Sequence, residues 1–172
     1  MTRLRSLGFL ACLPLLLLSG CAGYNLGPTA GFPAGSRSIE VKFFQNETFE
    51  PRLVTAMNHA LRKQLQQDGT YRLETRGDGD VVVTGKITDF TRSPLGFRPD
   101  DVITARNFSV EMVADIKAVH RDTGKVLLER SVSGRTTVLI GDDLASAERQ
   151  AVPLLAADLA RNATSLLVDG NW

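Results

Sequence analysis

Between Phe108 and Ala118 an apolar residue falls at every second position: Phe108, Val110, Met112, Ala114, Ile116 and Ala118. Ser109, Glu111, Asp115 and Lys117 fill places between them. A period of two sustained over that length is a β-strand with one buried face, because successive side chains of a strand point to opposite sides of its sheet. The apolar side must be covered by a second layer, while the polar side is left to water. That is the habit of an antiparallel sheet covered on one face. Arg121-Asp122-Thr123-Gly124 then makes a tight turn, with Gly124 supplying the positive φ that a short hairpin needs. Lys125 to Val138 returns as the next strand. Upstream, Val81 to Phe90 reads as another. Ser38 to Phe44 reads as the first, with Ile39, Val41 and Phe43 on one face.

Two helices supply the covering layer. Leu53, Met57, Leu61 and Leu65 recur every four residues, with Val54 and Ala60 widening the stripe. Thr48 or Glu50 caps this helix, Pro51 stands where a first-turn proline is tolerated, and Gly69 stops it. His59 shares its polar side with Thr55, Arg62 and Lys63 and reads as a solvated histidine. A last helix spans about Asp143 to Val168, capped by Asp142 or Asp143, with Leu144, Ala147, Ala151, Leu154, Leu155, Leu159 and Leu166 as apolar positions. Pro153 removes a hydrogen bond in its interior, so either the helix kinks there or two helices meet. The expected fold class is α+β: a two-layer sandwich, two helices packed on one face of a mostly antiparallel four-stranded sheet, in the order β-α-β-β-β-α.

The N-terminus carries an address. Arg3 and Arg5 precede an apolar run from Leu7 to Leu18, about a dozen residues, which is the length of a signal peptide and too short to span a bilayer. Leu18-Ser19-Gly20-Cys21 then has the form of a bacterial lipobox. Residues 1–20 are expected to be removed as a lipoprotein signal peptide, and Cys21 to be the lipidation site. Residues 21–37, rich in Gly, Pro, Ala and Ser, form the lipidated N-terminus and tether; residues 38–172 form one domain. Ala22, being non-acidic, directs such a protein to the outer membrane, held by its lipid on the periplasmic side.

Chemistry is scarce in what remains. Cys12 leaves with the signal and Cys21 is taken by lipid, so no thiol is left for a disulfide, a nucleophile or a metal. Arg3 and Arg5 are the only charges lost from 20 Lys+Arg and 19 Asp+Glu, so the mature chain is nearly neutral and anion recognition must be local. His59 and His120 have no metal-ligand spacing. Asp78, Asp80, Asp100 and Asp101 read as turn formers, and Asp78 and Asp80 lack the ligand spacing of known calcium loops. Asn46, Asn107 and Asn162 begin Asn-x-Ser/Thr triplets that carry no default meaning in a bacterial lipoprotein. Neither an enzyme nor a cofactor or metal protein is expected.

Basic residues are the remaining candidates. Thr91 to Asp101, with Pro94, Gly96 and Pro99, reads as a connection that projects as a hairpin tip bearing Phe97 and Arg98. An aromatic ring and a guanidinium together suit an amphiphile with acyl chains and phosphates. Lys86, Arg92 and Arg106 flank this connection, and Arg130 and Arg135 lie on the strand after it.

Several segments in order resemble the LPS-assembly lipoproteins, the LptE and LptE-like family. They are Cys21-Ala22-Gly23-Tyr24-Asn25-Leu26, Ser38-Ile39-Glu40-Val41, Phe44-Gln45-Asn46-Glu47-Thr48-Phe49-Glu50-Pro51, Leu65-Gln66-Gln67-Asp68-Gly69, Gly85-Lys86-Ile87 and the long alternating strand. The resemblance implies a two-layer α/β plug inside a large outer-membrane β-barrel of the LptD type. It implies a role in barrel assembly and in lipopolysaccharide delivery to the outer leaflet. Lipopolysaccharide-binding basic residues of the family lie in the hairpin between the second and third strands, where Phe97-Arg98 stands here, and just before the last helix. At the second place this chain has Ala145 and Ser146, so Arg135 is a substitute by proximity in sequence only. The candidate lipopolysaccharide contacts are therefore Arg98, Phe97, Arg92, Arg106 and Arg135. Two other classes stay open: an outer-membrane lipoprotein serving another envelope secretion or assembly complex, and a small-ligand or degradative enzyme on the same fold.

Overall fold

The computed structural model describes residues 34–98, 101–139 and 144–170, with side chains of 96–98, 101–106 and 144 left out. In chain order the elements are β1 (Arg37–Val41), β2 (Gln45–Asn46), α1 (Arg52–Asp68), β3 (Tyr71–Glu74), β4 (Val81–Arg98), β5 (Asp101–His120), β6 (Val126–Leu139) and α2 (Leu144–Asp169). The sheet runs β3-β1-β4-β5-β6, with β2 beside β4. The four strands expected from sequence are joined by β2 and β3, and the sheet is mixed. β1 pairs in parallel with β3 and β4, and β2 in parallel with β4, whereas β4, β5 and β6 are antiparallel. Helix α1 is the crossover that two parallel neighbours, β1 and β3, require.

Both helices lie on one face of this sheet, as the two-layer expectation has it. Val110, Met112, Ala114, Ile116 and Ala118 of β5 are at most 1% exposed. Above them sit Leu53, Met57, Leu61 and Leu65 of α1 and Leu155, Leu159 and Leu167 of α2, again at most 1% exposed. Removing such a side chain from water is worth about 1.5–3 kcal/mol each. Helix α2 has the length and apolarity of a membrane span, but much of that apolar surface is used against the sheet and α1. It continues unbroken through Pro153, which settles the choice left open by the sequence in favour of one helix.

Local punctuation explains the ends of α1. Pro51 precedes it, and the Glu50 carboxylate accepts the Arg52 N–H at 3.1 Å and the Arg52 guanidinium at 2.6 and 2.7 Å. Of the two expected caps, Glu50 reaches the first turn, while Thr48 accepts the Glu50 N–H. Gly69, at φ 75°, closes the far end with its N–H on the Leu65 carbonyl.

Alternation fails in two places. β1 ends at Val41, so Phe43 does not share the buried face with Ile39 and Val41; it is 72% exposed, and Arg62 lies over its ring at 5.1 Å. Phe44 turns inward instead, its ring against Gly85, where a Cβ would overlap it. In β4 the register slips between Ile87 and Asp89. Odd residues face the helices before that bulge. After it Phe90 stands opposite Met112 and Arg92 opposite Val110, so even residues do.

The edge of β6 is not left bare. Asn162 of α2 donates to the Ser133 carbonyl at 2.9 Å, and Asp158 accepts the Arg135 N–H at 3.0 Å. Two side chains one turn apart thus cap edge groups that would otherwise invite another strand.

Candidate functional site

The segment expected as a connection is mostly strand. β4 runs to Arg98 and β5 starts at Asp101, so the loop shrinks to residues 99 and 100, which lie outside the described residues. Pairing continues to Arg98 opposite Asp101, with register irregularities from Pro94 onward. β6 reaches only to Leu139, opposite Asn107. Beyond that point β4 and β5 form a two-stranded arm, and residues 101–106 extend it by about 20 Å at strand rise. Phe97 and Arg98 end the outgoing strand of this arm and Arg106 lies on the returning one; their side chains are outside the described set. Cys21 is outside it too.

Arg92 and Arg135 are described fully and stand apart. Arg92 is on the helix side of β4 and makes an ion pair with Glu148 of α2. That clasp ties the sheet to the helix layer beside the Glu50–Arg52 pair. Arg135 is on the opposite, open face, paired with its cross-strand neighbour Glu111 at 2.9 Å, and its side chain remains 69% exposed. The two arginines therefore cannot grip one ligand from one side of the sheet. Lys86 pairs with Glu47 at 3.1 Å, and Arg130 is exposed on the helix-side register of β6.

Of the aspartates expected in turns, Asp78 and Asp80 lie between β3 and β4, Asp101 opens β5, and Asp100 lies outside the described residues. Asp80 accepts both the N–H and the hydroxyl of Ser38, at 2.8 and 2.7 Å, and its own N–H donates back to Ser38 Oγ at 2.9 Å. These bonds, the backbone one foremost, hold its carboxyl below the usual carboxylate range. The Arg52 guanidinium lowers Glu50 in the same sense, and the N–H groups of Arg76 and Thr75 lower Glu74. All three are structural ties. Among the described residues no group of three or more His, Cys, Asp or Glu is placed to hold a metal.

A feature not anticipated from the sequence lies between the helices. A groove of about 770 Å³ is lined by small and apolar residues of both, among them Ala60, Pro153 and Ala157, with exposed His59 at its side. No periodicity in one helix could have shown it, because its walls come from two.

The fold defines a class of two-layer α+β domain also found in bacterial proteins of known structure. A protein from Xanthomonas campestris matches with a TM-score of 0.60 at 10% identity, over 83% of this chain and 90% of its own. A hypothetical protein from Chlamydia trachomatis gives 0.56 at 8%, over 78% of this chain and 97% of that one. A minor lipoprotein from Acinetobacter baumannii gives 0.52 at 10%, over 77% and 93%. At such identities the likeness is one of fold alone. No curated protein matches the sequence significantly. The family model is decisive: the chain belongs to the LptE lipopolysaccharide-assembly family, matched over residues 36–167, from just before β1 into the last turn of α2. It is a family of non-catalytic assembly lipoproteins.

Proposed function

We propose that this protein is an outer-membrane lipoprotein, anchored through Cys21, that serves as plug and assembly subunit of an LptD-type β-barrel and assists lipopolysaccharide delivery to the outer leaflet. The family match across the whole described fold carries this reading. The projecting β4–β5 arm supports it, since among the described residues its end is paired as two strands alone and so is placed to reach a ligand. Arg98 is assigned the first lipopolysaccharide contact, with Phe97 beside it and Arg106 on the same arm. Arg135, on the open face, contributes only by exchanging its partner Glu111. Arg92, held by Glu148, is the weakest contributor of the five.

Capture of the intact lipoprotein from mild detergent is expected to bring an LptD-type barrel with it. Recovery of an unrelated secretion complex in its place would favour the alternative of an accessory lipoprotein and sink the barrel assignment. Arg98→Ala is expected to weaken lipopolysaccharide binding and leave the unfolding midpoint unchanged; equal binding would return Arg98 to an ordinary surface residue. Cys21→Ala should leave the membrane fraction, and retention there would remove the anchor.

A further inference from the structure

The groove between α1 and α2 opens on the solvent side of the helix layer. Its floor is Ala56 and Ala60 of α1 with Val152, Pro153 and Ala157 of α2. Where packed helices ordinarily interdigitate larger side chains, these residues leave room. Pro153 adds a second effect. It has no N–H, so the carbonyl of Arg149, one turn earlier, loses its ladder partner within the groove wall. The volume, about 770 Å³, lies within the range of ligand pockets. Along α1 the lining runs from Arg52 to Gln67, about 22 Å at helical rise, enough for an extended acyl chain.

Charge at the rim is of one sign. Arg52, Lys63 and Arg149 line the groove and no Asp or Glu does. Glu50 already neutralises Arg52. Among the described residues Arg149 donates to the uncharged Ser146 hydroxyl, at 2.5 Å, and neither it nor Lys63 forms an ion pair. Two cations without a carboxylate partner among the described residues thus border an apolar trough on a chain whose overall charge is nearly balanced.

We propose that this groove seats one acyl chain of lipopolysaccharide, with Lys63 and Arg149 taking the phosphates of its head. The proposal rests on the lipopolysaccharide reading above and adds a second contact on the helix layer, separate in sequence from the β4–β5 arm. Each methylene laid there leaves water, so filling even part of the trough changes affinity measurably.

The test uses the full lipidated chain in detergent, titrated with rough lipopolysaccharide, with its deacylated oligosaccharide, and with phosphatidylglycerol vesicles. Ala157 is exposed on the groove floor, so Ala157→Trp blocks the trough without entering the core. It is expected to weaken intact lipopolysaccharide about tenfold and to leave the weaker oligosaccharide binding unchanged. Lys63→Glu with Arg149→Glu should weaken both. An unchanged far-UV spectrum and urea midpoint show that each variant is folded. Wild-type affinity in Ala157→Trp overturns the groove and leaves the family reading standing, the more so if Arg98→Ala loses binding in the same assay. Equal losses toward phosphatidylglycerol vesicles overturn the assignment to lipopolysaccharide. A photoreactive residue at position 60 that labels the barrel polypeptide in cells, and no lipopolysaccharide, shows a protein contact and overturns the proposal as well.

Discussion

At Gly134 the backbone of α2 lies directly on the sheet, and replacing the glycine by alanine tests how the two layers are joined. A Cβ built there would stand 2.6 Å from the Leu159 nitrogen, 2.7 Å from the Leu155 oxygen and 2.7 Å from Leu159 Cβ. Two of these atoms are helix backbone, so no rotamer change relieves the overlap. To restore ordinary contact, α2 must retreat from β6 by the better part of an ångström. A gap of that size forfeits a quarter to a half of each dispersion contact that Leu155 and Leu159 make. The cost falls in the overpacking range of about 1–3 kcal/mol, and the backbone nature of the clash puts it at the upper end. Alanine recovers about 0.5–1 kcal/mol through its smaller loss of backbone freedom in a strand. The net expectation for Gly134→Ala is a loss of about 2 kcal/mol. In urea that lowers the midpoint by about 1 M, and in a thermal scan by about 4–8 °C. Hydrogen exchange supplies an independent readout. The Arg135 N–H, held by Asp158, should exchange faster once the helix lifts from the strand. A midpoint within experimental error of the parent, with Arg135 exchange unchanged, would refute the claim that the helix rests on the glycine.

Neighbouring leucines of α2 should separate cleanly: Leu155→Ala is expected to cost about 2–5 kcal/mol by urea unfolding, and Leu154→Ala, 61% exposed, less than about 0.5 kcal/mol. Equal losses would mean that the helix is rotated from the orientation described. Asp80→Asn should cost about 1 kcal/mol at pH 7, a charge-assisted bond discounted for exposure. Because folding depresses the Asp80 pKa, its contribution is complete above the ordinary carboxylate value of about 4 and disappears as pH falls through the folded value. The gap between parent and variant should therefore close as pH is lowered below the ordinary carboxylate range, and a constant gap would contradict the assignment. Pro153→Ala should raise stability by about 1–3 kcal/mol by restoring the bond to the Arg149 carbonyl, with looser lipopolysaccharide binding if the groove narrows. A less stable variant would show that the proline fits the helix better than its missing N–H suggests.

The alternation from Phe108 to Ala118 was readable because β5 lies between two long partners and under the helices, so each second residue meets the core. Phe43 misleads for the opposite reason. The strand ends at Val41, and the place an alternating residue would fill is taken by Phe44 over the bare backbone of Gly85. β3 escapes notice because Tyr71–Glu74 is too short to show a period and takes its order from β1. Pro94 and Gly96 suggested a loop, yet beyond the two residues that meet β2 the outer side of β4 has no strand partner among the described residues. An edge position tolerates a proline, since no neighbour asks for its N–H. Of the candidate contacts, the arm position of Phe97 and Arg98 was legible from local turn residues. The opposite facing of Arg92 and Arg135 was not, because it depends on a bulge at residue 88 that reverses which positions of β4 meet the helices.

Near-neutral overall charge makes pairing the deciding property of each cation. On the open face Lys86, Lys117 and Arg135 are matched by Glu47, Glu129 and Glu111, and that face between the strands is largely Thr, Ser and paired charge. A phosphate arriving there must displace a carboxylate from each partner and offers little in exchange, since exposed pairs are worth at most about 1 kcal/mol either way. The apolar side chains it meets there, Val82, Val113, Val119, Val126 and Leu139, stand among these pairs on an open sheet face and not in a trough. On the helix layer the balance reverses: among the described residues Lys63 and Arg149 have no carboxylate to surrender, and the alanines and proline between them give a chain somewhere to lie. A lipid bearing both phosphate and hydrocarbon would find unpaired cations and a concave apolar surface together at the second place. Charge alone would have favoured neither face.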